Sequence, residues 1–240
     1  MSHTRSSLAL PSLIIGSLLA VGLVWSGSYI KQAAQVWESS SRVVTVKGLA
    51  EREVKADLAL WPLHFSVNAN KLVGLHEALA NDEQKIRAFL TTQGFPTDQV
   101  SVTSPQVTDL YANSYNAQRP DERYRAEATV LVRSPKVDLV KDSASKTGEL
   151  VREGILLSAD YAYRTEFLFT GLEAIKPDMI AVATADARRA AQQFAKDSGS
   201  SVGHIKHASQ GYFSISDLDS YTPDIKQVRV VTTIDYTLKN

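Results

Sequence analysis

Cysteine is absent from the 240 residues. Disulfides, thiolate nucleophiles and cysteine metal sites are excluded with it. A chain without cysteine suits an oxidising compartment as well as a reducing one, so the absence selects neither. A surplus of one charge is absent too: Lys+Arg and Asp+Glu each number 26. Arg5 is the one charged residue among the first thirty, which leaves 25 cations against 26 anions in the rest, a net charge near −1. No basic excess is there to neutralise phosphates, so no nucleic-acid partner is expected. Lys and Arg never gather into a polybasic run, which weakens any case for electrostatic docking on anionic lipid. No glycine-rich phosphate loop follows a predicted strand.

One long apolar run is present, and it sits at the start. Leu8–Ile30, LALPSLIIGSLLAVGLVWSGSYI, has 23 residues and no charge. A helix rises about 1.5 Å per residue, so about 20 residues cross a hydrocarbon core of about 30 Å. The run is apolar around its whole circumference, unlike the single stripe of a helix packed in a small domain. Trp25 and Tyr29 lie at its C-terminal end, where aromatic rings favour the headgroup layer. The reading is a retained single-pass anchor with its N-terminus in the cytoplasm. A cleaved signal peptide is the alternative. Its apolar region is usually about 7–15 residues, shorter than this one, and no clear A-x-A site follows here. Either way the body is exported. Residues 31–41, KQAAQVWESSS, read as a linker.

The body, residues 42–240, has the make-up of a globular domain: 44% of the chain is apolar and 22% charged. Arg42–Lys47 alternates and ends at Gly48, which predicts a strand. Val54–Asn68 predicts a longer strand whose apolar parity switches, with an extra residue near Leu60–Pro62. Leu72, Leu75, Leu79, Ile86 and Leu90 keep helical spacing up to a C-cap at Gly94. Gln99–Val107 predicts a strand, Tyr111–Asp121 a polar loop, and Tyr124–Val132 a half-buried strand. Ser134 as N-cap and Pro135 at the first helical position open a helix to about Glu153. Ile155–Phe169 reads as a strand rich in Tyr and Phe. Residues 177–198 predict a helix with Pro177 in its first turn. Its stripe is Ile180, Ala183, Ala187, Ala190, Ala191 and Phe194, and Gly199 lies just past its end. Val202–Ser214 and Val228–Leu238 predict strands around a turn-rich loop, Asp217–Asp224.

The predicted order is β-β-α-β-β-α-β-α-β-β. It argues for one α+β domain after a transmembrane helix, with an antiparallel or mixed sheet and helices packed on one face. A β-α-β-β unit over 54–133 and again from 124 onward hints at duplication.

Chemistry-bearing patterns are few. Gly199-Ser200-Ser201-Val202-Gly203 fits G-x-S-x-G, but that elbow needs a strand before it and a helix after it, the reverse of the order here. A Gly/Ser turn is the better reading. His204 and His207 are three apart on a strand, so their rings face opposite ways and make no metal pair. His64 falls on the polar parity of its strand, and His76 on the apolar side of its helix. Asp217, Asp219 and Asp224 crowd one loop without the Gly and Glu of a calcium loop. Tyr111, Tyr115, Arg123 and Tyr124, in or beside the Arg119–Arg125 stretch, are residue types enriched at interfaces, although an ordinary mobile loop is the better reading. No constellation supports an enzyme, so no catalytic, cofactor-binding or metal residues are assigned.

The stretches VVTVKGLAEREVKADLA (43–59), QVSVTSPQV (99–107), YRAEATVLVRSPKVDLV (124–140), DARRAAQQFAKDSGSSVGHIKHASQGYFSI (186–215) and VRVVTTIDYTL (228–238) resemble, in order and spacing, the SIMPL-domain family of bacterial envelope proteins. The resemblance spans almost the whole body. It implies an α+β fold, export to the periplasm or envelope, large ring-like oligomers and an association with stress tolerance; a eukaryotic relative is a signalling adaptor. It brings no catalytic residues. Many relatives look like secreted proteins with a cleaved signal, and the retained anchor departs from them. The expectation is a non-enzymatic domain on the periplasmic side of the bacterial inner membrane, forming homo-oligomers or scaffolding envelope protein partners. A small-molecule or peptide binding module built on 155–169 and 111–125 is the alternative. A hydrolase using Ser201 or His204 comes third.

Overall fold

The structure, a computed structural model, describes residues 42–112, 120–158 and 160–239, together with Gly22. The predicted membrane helix, apart from Gly22, and the 31–41 linker lie outside the described residues. Among the described residues no helix is long and apolar enough to cross a membrane. The strands are β1 (Val43–Lys55), β2 (Leu58–Ala69), β3 (Val100–Val102), β4 (Gln106–Asp109), β5 (Tyr124–Ser134), β6 (Leu156–Leu157), β7 (Glu166–Leu168), β8 (Ser201–Gln210), β9 (Ser214–Asp217) and β10 (Ile225–Lys239). The helices are α1 (Leu72–Thr92), α2 (Val137–Ala144), α3 (Gly148–Arg152) and α4 (Leu172–Asp197). They build two compact units: Glu51–Pro177 with Ser214–Arg229, and the remainder, to which β1, α4 and β10 also contribute.

The first unit is organised by β2 and β5, antiparallel in unbroken register from Ala59↔Ser134 to Ala69↔Tyr124. Their alternation puts Trp61, Leu63, Phe65 and Val67 opposite Val132, Val130, Ala128 and Ala126. Small residues therefore face the larger ones, and one side of the sheet takes up Leu75, Ile86 and Leu90 of α1, Val140 of α2 and Leu150 of α3. The stop of α1 is chemical. Gly94, at φ 93°, donates to Thr91 C=O, and Phe95 donates to Leu90 C=O. This pair of bonds is the Schellman closure, which needs a left-handed residue. It delivers Phe95 against Trp61, ring centroids 6.0 Å apart.

The second unit holds most of β1, β8, β10 and α4. Met179, Ala183, Ala187, Ala191 and Ala195 recur every fourth residue and are all buried. Gly48 fits against that stripe: a Cβ there would lie 1.9 Å from the Ala183 carbonyl oxygen. β8 pairs with β10 antiparallel, and β10 lies between β8 and β1.

The observed pairings are antiparallel and helices cover one face in the first unit, as the α+β reading expects. Several boundaries differ. β1 runs through Gly48 to Lys55, because a glycine is what lets the strand pass close to α4. The parity switch falls at Ala56–Asp57, between β1 and β2, and no bulge occurs at Pro62. His64 C=O accepts from Ser158 N–H, so even-numbered residues of β2 turn their main chain to the β6/β7 edge. Pro62 shares that parity and lies between the partners of β7 (58–60) and β6 (65–66), where no ladder bond is lost. Gln99–Val107 splits into β3 and β4 around Pro105. The 134–153 helix divides into α2 and α3; Lys136, not Ser134, is the N-cap, and the Ser134 hydroxyl accepts from Lys136 N–H. Ile155–Phe169 is not one strand but β6, a 3₁₀ turn at Tyr161–Tyr163, and β7. α4 begins at Leu172 and holds Pro177 in its interior, and Phe194 is 61% exposed because the stripe follows a strict i+4 step that it misses. His76 is exposed rather than set among apolar neighbours.

Candidate binding sites

The face of β2 and β5 turned away from the helices is polar. Alternation brings His64 opposite Thr129 and Ser66 opposite Glu127, with Arg125 two residues on. β6 pairs with β2 opposite Phe65 and Ser66 and starts a strap over this face. Asp160 then accepts from Ala162 N–H at 2.9 Å, which turns the chain into the 3₁₀ turn and brings Tyr163 back. The Tyr163 ring stacks on His64, centroids 3.7 Å apart and planes 5° from parallel. A cavity of about 390 Å³ remains, lined by His64, Ser66, Arg125, Glu127, Ser158 and Tyr163 among others.

Its polar groups form one chain of contacts. His64 Nδ1 lies 2.9 Å from Thr129 Oγ1, and Nε2 lies 4.0 Å from a Glu127 oxygen. The other Glu127 oxygen takes Arg125 Nε at 2.9 Å. Burial holds the His64 pKa below its ordinary 6.5; Glu127 opposes that and Arg125 reinforces it. The imidazole is therefore neutral at neutral pH, with a hydroxyl at one nitrogen and a carboxylate facing the other. The arrangement suits a small polar ligand that exchanges hydrogen bonds. Among the described residues no group of three or more His, Asp or Glu could hold a metal ion.

A larger, open groove of about 960 Å³ runs between β7 and β9 in the same unit. Phe167, Ile215, Arg164, Asp217 and Lys226 are among its walls. Lys226 pairs with Asp217, and the Arg164 guanidinium lies 4.2 Å from the Tyr161 ring centroid.

The residues singled out in the sequence are dispersed. Ser201 donates to the main-chain carbonyl of Lys239 at 3.4 Å, and His204 Nδ1 meets Thr237 Oγ1 at 3.3 Å. Gly199, at φ 64°, closes α4 before β8 begins, so the G-x-S-x-G stretch is a helix end. Each loop carboxylate has its own partner: Asp217 has Lys226, Asp219 the Tyr221 and Thr222 N–H groups, and Asp224 has Lys141. Hydrogen bonds from Thr222 and Tyr221 hold the Asp219 carboxyl below its usual range. Arg123 chelates Asp109 through Nε and Nη2 at 3.1 and 2.8 Å, with Tyr124 and Tyr111 against its plane. Tyr115 and Arg119 lie outside the described residues. Arg125, Asp160 and Tyr163 fall within the stretches 111–125 and 155–169 named for a binding module, whereas Ser66 and Glu127 were not singled out. The available signal was the polar parity that His64 and Ser66 share with Arg125, Glu127 and Thr129.

A family model described as SIMPL, protein of unknown function (DUF541), matches residues 44–232. No curated protein matches the chain.

Proposed function

Because the chain belongs to the SIMPL family (DUF541) over residues 44–232, we propose that it is a non-enzymatic envelope protein that self-associates or scaffolds partners on the periplasmic side of the bacterial inner membrane. The uncharged run Leu8–Ile30 supports the anchor. The observation that carries self-association is β8. It is ten residues long, has a strand on one side only among the described residues, and exposes eight of its ten side chains across both faces. A strand packed on a core by one face would alternate; this one does not, and its outer edge can pair with a second copy, which supports self-association. The opposite edge of the sheet differs: Leu49 N–H on β1 is taken by Asp186 of α4 at 3.0 Å.

Gly211 N–H donates to Val231 C=O, so odd-numbered residues at that end of β8 turn their main chain to β10 and Ala208 turns outward. Ala208→Pro removes an outward donor and leaves the ladder intact. Light scattering on residues 42–240 at tens of micromolar should give oligomers for the parent and a smaller species for Ala208→Pro at unchanged circular dichroism. A strictly monomeric parent would sink this reading. A second reading, a small-molecule binding module, is supported by the polar pocket around His64. Saturable chemical-shift changes at His64 and Tyr163 in a metabolite screen would favour it.

A further inference from the structure

The groove between β7 and β9 is lined by consecutive residues on both sides, 164–169 and 215–217. Side chains of one strand face alternate every second residue, so a wall made of consecutive residues is a strand edge. Hydrogen bonds fix which groups point into it. Leu168 C=O accepts from Asp57 N–H at 2.9 Å, which turns Leu168 toward β2 and Phe167 away from it. Leu218 N–H donates to Ile225 C=O, which turns even positions of β9 toward β10 and leaves Ile215 and Asp217 facing out. Among the described residues β7 has a strand on one side only, and so does β9. Two sheet edges thus offer main-chain donors and acceptors to one space of about 960 Å³, at the upper end of the usual size for ligand pockets, about 300–1,000 Å³.

We propose that this groove receives an extended peptide segment carrying a cationic side chain, held by strand pairing to β7, β9 or both. Strand addition supplies main-chain bonds without demanding one sequence, and the walls supply the selection. Leu168 and Ile215, both exposed, offer apolar contact. Glu166, Asp217 and Asp219 face Arg164 and Lys226, a balance of −1 with Lys226 already paired to Asp217. The uncompensated charge favours a Lys or Arg on the incoming strand and disfavours an acidic one. The inference does not depend on self-association through β8, which uses a different strand in the other unit.

The test is fluorescence anisotropy with the detergent-solubilised full chain. The probes are labelled, acetylated hexapeptides of alternating Val and Thr, with one Lys walked through every position. At least one register should bind saturably. N-methylation of its alternate amides should weaken it by about tenfold or more, the size of one or two lost hydrogen bonds. Ile215→Pro deletes an outward N–H and spares the β9–β10 ladder; it should weaken the same probe about tenfold. Glu166→Lys should reverse the order of Lys- and Glu-bearing probes. Should Ile215→Pro fail to fold, the N-methyl probes and Glu166→Lys still decide the matter. No binding in any register up to millimolar peptide overturns the proposal, as does binding indifferent to N-methylation or to the sign of the probe's charge.

Discussion

His64 is the residue at which this chain departs most from a plain sheet surface. A ring half-buried between Tyr163 and the strands loses hydration, and burial outweighs the pull of Glu127, so protonation is disfavoured. The unfolded chain binds that proton more readily than the folded one. Its stabilising effect is complete above about pH 6.5, the unfolded value, and is lost as pH falls through the lower folded value. The His64 ring resonances should therefore titrate below 6.5 by NMR. Tyr163→Ala, which opens the site to water, should move the midpoint back toward 6.5; an unchanged midpoint would show that the stack is not what dries the ring. Asp224 has the opposite balance. Burial would raise its carboxyl, but the Lys141 ammonium at 2.8 Å, a backbone hydrogen bond and the Lys55 charge together outweigh burial and the pKa is lowered. Its contribution is present above the ordinary carboxylate range near pH 4 and is lost as pH falls through the depressed value. Lys141 is half exposed, so Lys141→Met should cost about 1–2 kcal/mol at pH 7, less than a fully buried pair. Urea denaturation of both proteins should show the cost shrinking below about pH 4.

Among the elements, α4 and β1 approach closely at Gly48. The alanine stripe and Gly48 together remove the side chains that would hold helix and strand apart. In Gly48→Ala the new methyl meets the Ala183 carbonyl oxygen at 1.9 Å and the Ala187 nitrogen at 2.5 Å, both main chain. Neither can rotate away. The loss should be about 3 kcal/mol, the upper range for overpacking, read as a lower urea midpoint at unchanged slope. Gly94→Ala strains a left-handed turn but meets no neighbour, so it should cost about 1 kcal/mol. That ordering was not legible from a list of glycines. What the sequence did make legible were elements stabilised by their own pattern. The alternation of β5 and β10 is one case, and the stripes of α1 and α4 are another. β6 and β7 are two and three residues long, and the edge of β2 selects them rather than any periodicity of their own. The His64 site was hidden for a related reason. Thr129 and Tyr163 stand far along the chain from residue 64, and they reach it through the register of β2 with β5 and through the strap after β6.

For the whole molecule, the apolar run before β1 carries the proposed location. Its 23 residues contain no Asp, Glu, Lys or Arg, and its middle lies at Leu18 and Leu19. Arginine at the centre of a spanning helix costs about 2.5–3.5 kcal/mol per residue on the insertion scale, while each leucine it replaces contributes about 0.5 in favour. The double substitution Leu18→Arg with Leu19→Arg therefore removes about 6–8 kcal/mol from insertion, enough to reverse the balance for a single span. The unaltered protein should stay in the membrane pellet through an alkaline carbonate wash and leave it in detergent. The double variant should leave in carbonate or fail to be exported. A cleaved signal makes a different forecast: the mature body of the unaltered protein would be soluble in the periplasm and shorter by about the length of the run. N-terminal sequencing of the cellular protein separates the two, because a retained anchor keeps Arg5 and a cleaved signal does not. An intact, uncleaved chain in the soluble cytosolic fraction would contradict both readings, and the envelope role with them.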